Sequence, residues 1–203
     1  MYYMVHAAQM IQALSAASPD LLDAVLLTGF SANSTAQPPF LAGGDFQPAA
    51  IVAPARFADQ GIPDAYLVNQ SPYNTQFMTY FFPYFPEDAL QRTYQTGQPV
   101  TQGVLFTQGV IMQNATDFTG AVHVVTGAQD FPFCDGNCYA VPSGGPYTSI
   151  PAYTKTFYPS ASNFSVYIPA NTGHNINGHY SAPEVFQDML QFVESVFSPS
   201  QSL

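Results

Sequence analysis

Positive charge is nearly absent from this 203-residue chain: Arg56, Arg92 and Lys155 stand against 13 acidic residues, for a net charge of −10. Three cations cannot neutralise a phosphate backbone or hold an anionic membrane surface, which excludes nucleic acid as a partner. Charged residues of both signs make up only 8 % of the sequence, where about 25 % is usual. No apolar run approaches the roughly 18 residues of a membrane-spanning helix; the longest centres on Ala24–Leu27. The opening Met-Tyr-Tyr-Met-Val-His-Ala-Ala lacks the basic start and apolar stretch of a signal peptide. HExxH, Cys/His zinc spacings and a glycine-rich phosphate loop are also missing, so no metal, nucleotide or other cofactor is expected.

What remains is apolar and aromatic, at 47 % and 15 % of residues, far from a disordered polyelectrolyte. The 18 Pro and 14 Gly suit long ordered loops within one domain that carries an insertion. Four of the nine asparagines open an N-x-[ST] triplet, Asn33, Asn69, Asn114 and Asn163, where chance gives about 1.3. The two cysteines lie in Cys134-Asp-Gly-Asn-Cys138, whose Gly-Asn pair lets the chain turn back. In an acidic, sequon-rich chain this pair reads as a small disulfide loop, rather than as a redox motif or half a zinc site. A secretory composition without a secretory signal leads to the expectation that an N-terminal part is missing.

Along the chain, residues 6–17 read as a helix ended by Ser18-Pro19-Asp20. Ala24–Gly29 reads as a short strand buried on both faces, as in a parallel sheet. No second strand of that quality follows until residue 121; loops and helices fill the interval, notably Glu87–Gln95 after Pro86. Within it Tyr73, Phe77, Tyr80, Phe81, Phe82, Tyr84 and Phe85 crowd together, as packing or as the wall of an apolar cleft. Ala121–Gly127 is a second buried strand, Ile150–Tyr158 a helix and Asn163–Ile168 a third strand. A last helix opens with capping-box spacing at Ser181 and Glu184, and Val185, Met189, Phe192, Val193 and Val196 form its apolar face. The alternation argues for an α/β fold with residues near 31–119 inserted above the strand ends.

Two residues that follow strands could carry chemistry. Asp130 ends Val124-Val-Thr-Gly-Ala-Gln-Asp130, and His174 lies in Asn171-Thr-Gly-His-Asn175, just before the last helix. Groups at the carboxyl ends of neighbouring strands converge on one crevice. Taken singly, Asp130 reads as a loop cap and His174 as a solvated loop histidine; together, in this order, they form half of a Ser-His-Asp triad. The carboxylate would fix the imidazole tautomer and stabilise the imidazolium formed when His174 takes a hydroxyl proton. His179, five residues on, and His6 and His123 acquire no role from spacing.

The runs Asp23-Ala-Val-Leu-Leu-Thr-Gly-Phe-Ser31, Val124-Val-Thr-Gly-Ala-Gln-Asp-Phe-Pro-Phe-Cys134 and Asn171-Thr-Gly-His-Asn-Ile-Asn177 resemble the α/β-hydrolase superfamily, above all secreted fungal members with a helical lid. The likeness runs from about residue 8 onward but covers only the C-terminal part of that fold. It implies an incomplete core over 1–30 and 120–203, a lid over 31–119, and hydrolysis of a small-molecule ester or amide through an acyl-serine. Asp130 and His174 would be its acid and base. The family's nucleophile elbow, Gly-x-Ser-x-Gly, precedes the helix that here spans 6–17; no Gly occurs before Gly29 and no Ser before Ser15. Gly29-Phe-Ser31-Ala-Asn33 nearly spells the motif, yet its fifth residue is Asn and Ser-Thr-Ala-Gln-Pro-Pro after it is not helical. The chain is thus read as a truncated hydrolase without its nucleophile. Two rivals stand beside that reading: a non-catalytic secreted glycoprotein that binds an apolar ligand in the aromatic cleft, and a tailoring hydrolase of secondary metabolism that uses Ser31.

Overall fold

The computed structural model describes residues 2–198. Its elements run α1 (Tyr2–Ala17), β1 (Ala24–Thr28), α2 (Gln37–Gly44), β2 (Phe46–Pro48), β3 (Tyr66–Asn69), α3 (Pro72–Thr79), α4 (Glu87–Thr96), β4 (Val100–Thr101), β5 (Ala121–Val125), α5 (Phe131–Cys134), β6 (Asn163–Tyr167) and α6 (Ala182–Phe197), with short helical turns between them. The fold is α/β, as expected: β1, β5 and β6 form a parallel sheet with β5 in the centre. Ala24 pairs with Ala121, which pairs with Asn163, so the three strands end level.

Side-chain alternation gives the sheet two faces. Val25, Leu27, Val122, Val124, Phe164 and Val166 face a cluster with Ala8 and Ile11 of α1 and with Phe118 and Tyr158. On the other face Val125 meets Ile176 and Val185 of the α6 side, with Leu26, Tyr167 and Met189 partly buried. α1 is held by polar as well as apolar contacts. The Gln12 amide donates to the Gln113 carbonyl and accepts from the Gln113 N–H, and the Ser15 hydroxyl meets Tyr158 Oη at 3.1 Å.

Several expectations need correction. β1 is not buried on both faces: Val25 and Leu27 face the core, whereas Ala24, Leu26 and Thr28 are partly exposed, since among the described residues β1 is an edge strand paired with β5 alone. The insertion is not free of strands, since β2, β3 and β4 make a small antiparallel sheet. Residues 150–158 form one α turn, Ile150–Tyr153, and then a 3-10 turn, Thr154–Phe157. The capping box of α6 does not form: Ser181 has helical backbone (φ −73°, ψ −8°) and its hydroxyl instead meets Thr172 Oγ1 at 2.6 Å. On the same helix Val193 is 41 % exposed.

Leu27 is fully buried, so Leu27→Ala should cost about 2–5 kcal/mol in urea unfolding. Leu21→Ala, at a side chain 71 % exposed, should stay within about 0.5 kcal/mol. Burial pushes the Tyr158 phenol up to about 12, against about 10 in an unfolded chain. The neutral phenol therefore contributes its stability in full below about pH 10, and that contribution fades as pH rises through about 12. Tyr158→Phe should flatten the loss of stability over that interval in alkaline denaturation curves.

Candidate active site

Thr126-Gly-Ala-Gln129 carries the chain from β5 to Asp130, which is completely buried. A buried carboxylate needs donors, and this one has three. Its Oδ1 accepts the Phe133 N–H at 2.9 Å, so Asp130 caps α5. Its Oδ2 accepts the Thr126 hydroxyl at 2.6 Å and lies 2.8 Å from His174 Nδ1. An ionised carboxylate only accepts, so Nδ1 carries a proton, and in the neutral ring the lone pair is then on Nε2. The His174 ring, 3 % exposed, stacks on Phe133 with centroids 5.8 Å apart. Among the described residues no hydroxyl bonds to its Nε2. The cap and the pair are thus both realised, in one side chain.

Backbone bonds lock the two loops together. Ala128 N–H donates to Pro169 O (3.0 Å), Gln129 N–H to Thr172 O (2.9 Å), and Thr172 N–H to Gln129 Oε1 (3.1 Å). The contact is so close that a Cβ on Gly127 would stand 2.2 Å from Thr172 O and 2.3 Å from Gly173 O. Cys134, the last residue of α5, is disulfide-bonded to Cys138, and both are buried. The Cys138 N–H returns to Ala128 O at 2.9 Å and the Gly136 N–H to Asp130 O at 3.0 Å, which closes the acid's loop.

The structure does not bring Ser31 to this pair. Its hydroxyl, 1 % exposed, donates to Phe133 O at 2.7 Å and accepts the Asn33 N–H at 3.0 Å, and no helix starts until Gln37. Of the sequon asparagines, Asn114 and Asn163 are exposed and Asn33 is half-buried. Asn69 sits in β3 with Nδ2 donating to Gly44 O at 2.8 Å and to Met78 Sδ at 3.2 Å, and a sugar would replace one of those two hydrogens. The aromatic run divides: Tyr80 and Phe85 are buried, while Tyr73, Phe77 and Phe82 are 80 %, 51 % and 68 % exposed.

A second histidine–carboxylate pair had no signal in sequence. His123 of β5 directs Nε2 at Asp188 Oδ2 of α6 (2.7 Å) and Nδ1 at Ser165 Oγ of β6 (2.8 Å), with its ring on Phe192. Ser165 lies in the middle of β6 and the ring is buried under Phe192, so the trio ties α6 to the sheet. A cavity of about 290 Å³ lies among Val52, Arg56, Val68, Thr75 and Tyr94, within the inserted segment. Among the described residues no three His, Cys, Asp or Glu side chains group as metal ligands, and no helix is long and apolar enough to cross a membrane.

No protein-family model and no curated protein matches the chain. Solved structures do, in fold. The monoacylglycerol lipase of Paleococcus ferrophilus aligns over 93 % of this chain and 65 % of its own, at 12 % identity and TM-score 0.55. Rv0554 from Mycobacterium tuberculosis aligns over 94 % and 63 %, at 17 % identity and TM-score 0.55. An α/β-hydrolase fold protein from Chitinophaga pinensis aligns over 95 % and 62 %, at 14 % identity and TM-score 0.51. The chain therefore has part of an α/β-hydrolase fold, and it spans less than two thirds of the length of these neighbours.

Asp130→Ala would leave the Thr126 hydroxyl, the Phe133 N–H and His174 Nδ1–H buried without an acceptor. The loss should be about 3 kcal/mol or more in urea unfolding. Asp130→Asn keeps one capping oxygen and should recover part of it. A cost for the alanine variant no larger than that of the exposed Asp117→Ala would contradict the assignment.

Proposed function

We propose that this chain supplies the acid and base of a serine-type hydrolase that acts on a small-molecule ester or amide. The observation that carries the reading is the buried Asp130–His174 bond at the level ends of two adjacent parallel strands. His174 Nε2 would take the proton of a nucleophilic hydroxyl, and Asp130 would hold Nδ1–H in place and stabilise the imidazolium. The partial α/β-hydrolase fold supports that assignment.

Residues 1–203 contain no Gly-x-Ser-x-Gly, and on this reading the chain does not itself provide the nucleophile. Ser31 is a poor substitute, because its proton is committed to Phe133 O. Residues 31–119 would act as the lid, and the disulfide and the exposed Asn114 and Asn163 fit a secreted glycoprotein. A second reading has its own support. The exposed rings of Tyr73, Phe77 and Phe82 offer an apolar surface for ligand binding without catalysis.

A fluorophosphonate probe, which labels only an activated serine, tests the proposal. The chain alone should remain unlabelled and should not hydrolyse a p-nitrophenyl ester above a His174→Ala control. The proton NMR spectrum should still show a far-downfield His174 Nδ1–H resonance, lost in Asp130→Asn. An adduct on Ser31, removed by Ser31→Ala, would overturn the view that the nucleophile lies elsewhere. Absence of the downfield proton would remove the acid–base pair itself.

A further inference from the structure

The loop that carries His174 is bonded directly to the aromatic segment of the insertion. Asn175 N–H donates to Thr79 O at 2.8 Å, the Asn175 side-chain amide to Tyr80 Oη at 2.8 Å, and Tyr180 N–H to Tyr84 O at 3.1 Å. A Cβ on Gly173 would stand 2.9 Å from both Phe81 N and Thr79 O, so only glycine admits this approach.

His179 sits between the two segments, 4 % exposed. Its Nε2 accepts two backbone N–H groups, those of Gly173 and Phe81, each at 3.0 Å. Its Nδ1 lies 2.8 Å from the Asn175 carbonyl, which can only accept, so Nδ1 carries the proton. The ring stacks on Tyr80 (centroids 5.2 Å apart) and meets Phe85 edge-on at 6.1 Å. All three polar partners are backbone groups, and together they specify one neutral tautomer.

We infer that His179 is a positioning residue, a neutral imidazole clasp that holds the His174 loop against residues 79–84 and opens when the ring is protonated. A proton on Nε2 would turn the acceptor of two N–H groups into a third donor facing them, and both bonds would be lost. Other titratable groups nearby do not offset that charge. From the aromatic segment comes the neutral Tyr80 phenol, which burial pushes up, with Asp88 of α4 acting on it. The His174 loop brings His174, already paired with Asp130, and the first turn of α6 brings the exposed Glu184. Burial holds His179 below the usual histidine range. The neutral ring's contribution is therefore complete above an unfolded histidine's pKa of about 6.5, and it is lost as pH falls through the lower folded value.

That the clasp serves His174 rests on the acid–base reading above; the clasp itself does not, and its test uses no hydrolysis. Amide hydrogen exchange of residues 1–203 is followed from about pH 7.5 to about pH 4.5, corrected for intrinsic rates. Protection at Gly173 and Phe81 should fall at least about tenfold across that range, while β5 keeps its own. His179→Gln places an oxygen that does not titrate near the Nε2 position, and it should stay protected throughout. His179→Phe should be unprotected at every pH. In nitrogen NMR the wild-type ring should show the Nδ1–H tautomer at neutral pH. Equal protection in His179→Phe and wild type, or the same pH dependence in His179→Gln, would overturn the proposal. Should His179→Phe fail to fold, the wild-type and His179→Gln profiles decide alone: coincident profiles refute the clasp, and divergent ones support it.

Discussion

One buried carboxylate organises the carboxyl ends of this sheet. Asp130 has no exposure to solvent, and a charge in that position is tolerated only when both carboxylate oxygens are hydrogen-bonded. Its three donors come from three directions: Thr126 from the end of β5, Phe133 from the first turn of α5, and His174 from the loop after β6. The same group therefore starts a helix, fixes the exit of the central strand and orients an imidazole. The close approach of Gly127 to Thr172 and Gly173 follows from drawing the two loops together over that oxygen.

Scarcity of cations shapes how polar groups are satisfied elsewhere. Arg56 donates to Gly97 O and lies over the Phe57 ring, and Lys155 lies over Phe164, so neither is spent on a carboxylate. Among the described residues the carboxylates of Asp130 and Asp188 are met by histidine rather than by Arg or Lys. Backbone groups and hydroxyls do the remaining work, as in the Gln12–Gln113 pair that fastens α1 and in the contacts of Asn175.

Much of the fold was legible in the chain itself. The apolar runs at β1, β5 and β6 and the 3.6-residue stripe of α6 are long enough for periodicity to identify them, and Pro86 with Gly97 brackets α4. Asp130 and His174 were legible because each follows such a strand. What stayed hidden depends on pairing at a distance. β2, β3 and β4 are two to four residues long, too short for a periodic signal, and their register is set by partners some 20 to 35 positions away. Ser181 has the right spacing for a cap, but it spends its hydroxyl on Thr172 across the loop. Thr126 and His179 act through hydrogen bonds that no spacing rule encodes. Val193 lies on the stripe, yet α6 rests on a sheet of three strands, too narrow to cover all of it.

The α6 face of that sheet holds an instructive counterpart. Ser165, His123 and Asp188 are the same three residue types as a hydrolase triad, joined by contacts of 2.8 and 2.7 Å. A geometric template built on residue identity and distance would return this trio ahead of the Asp130–His174 pair, since it alone has all three residue types. Position in the fold reverses the ranking. Ser165 stands in mid-strand and the His123 ring is buried against Phe192 of α6, where the trio serves as mortar between helix and sheet, whereas His174 lies in the loop after β6.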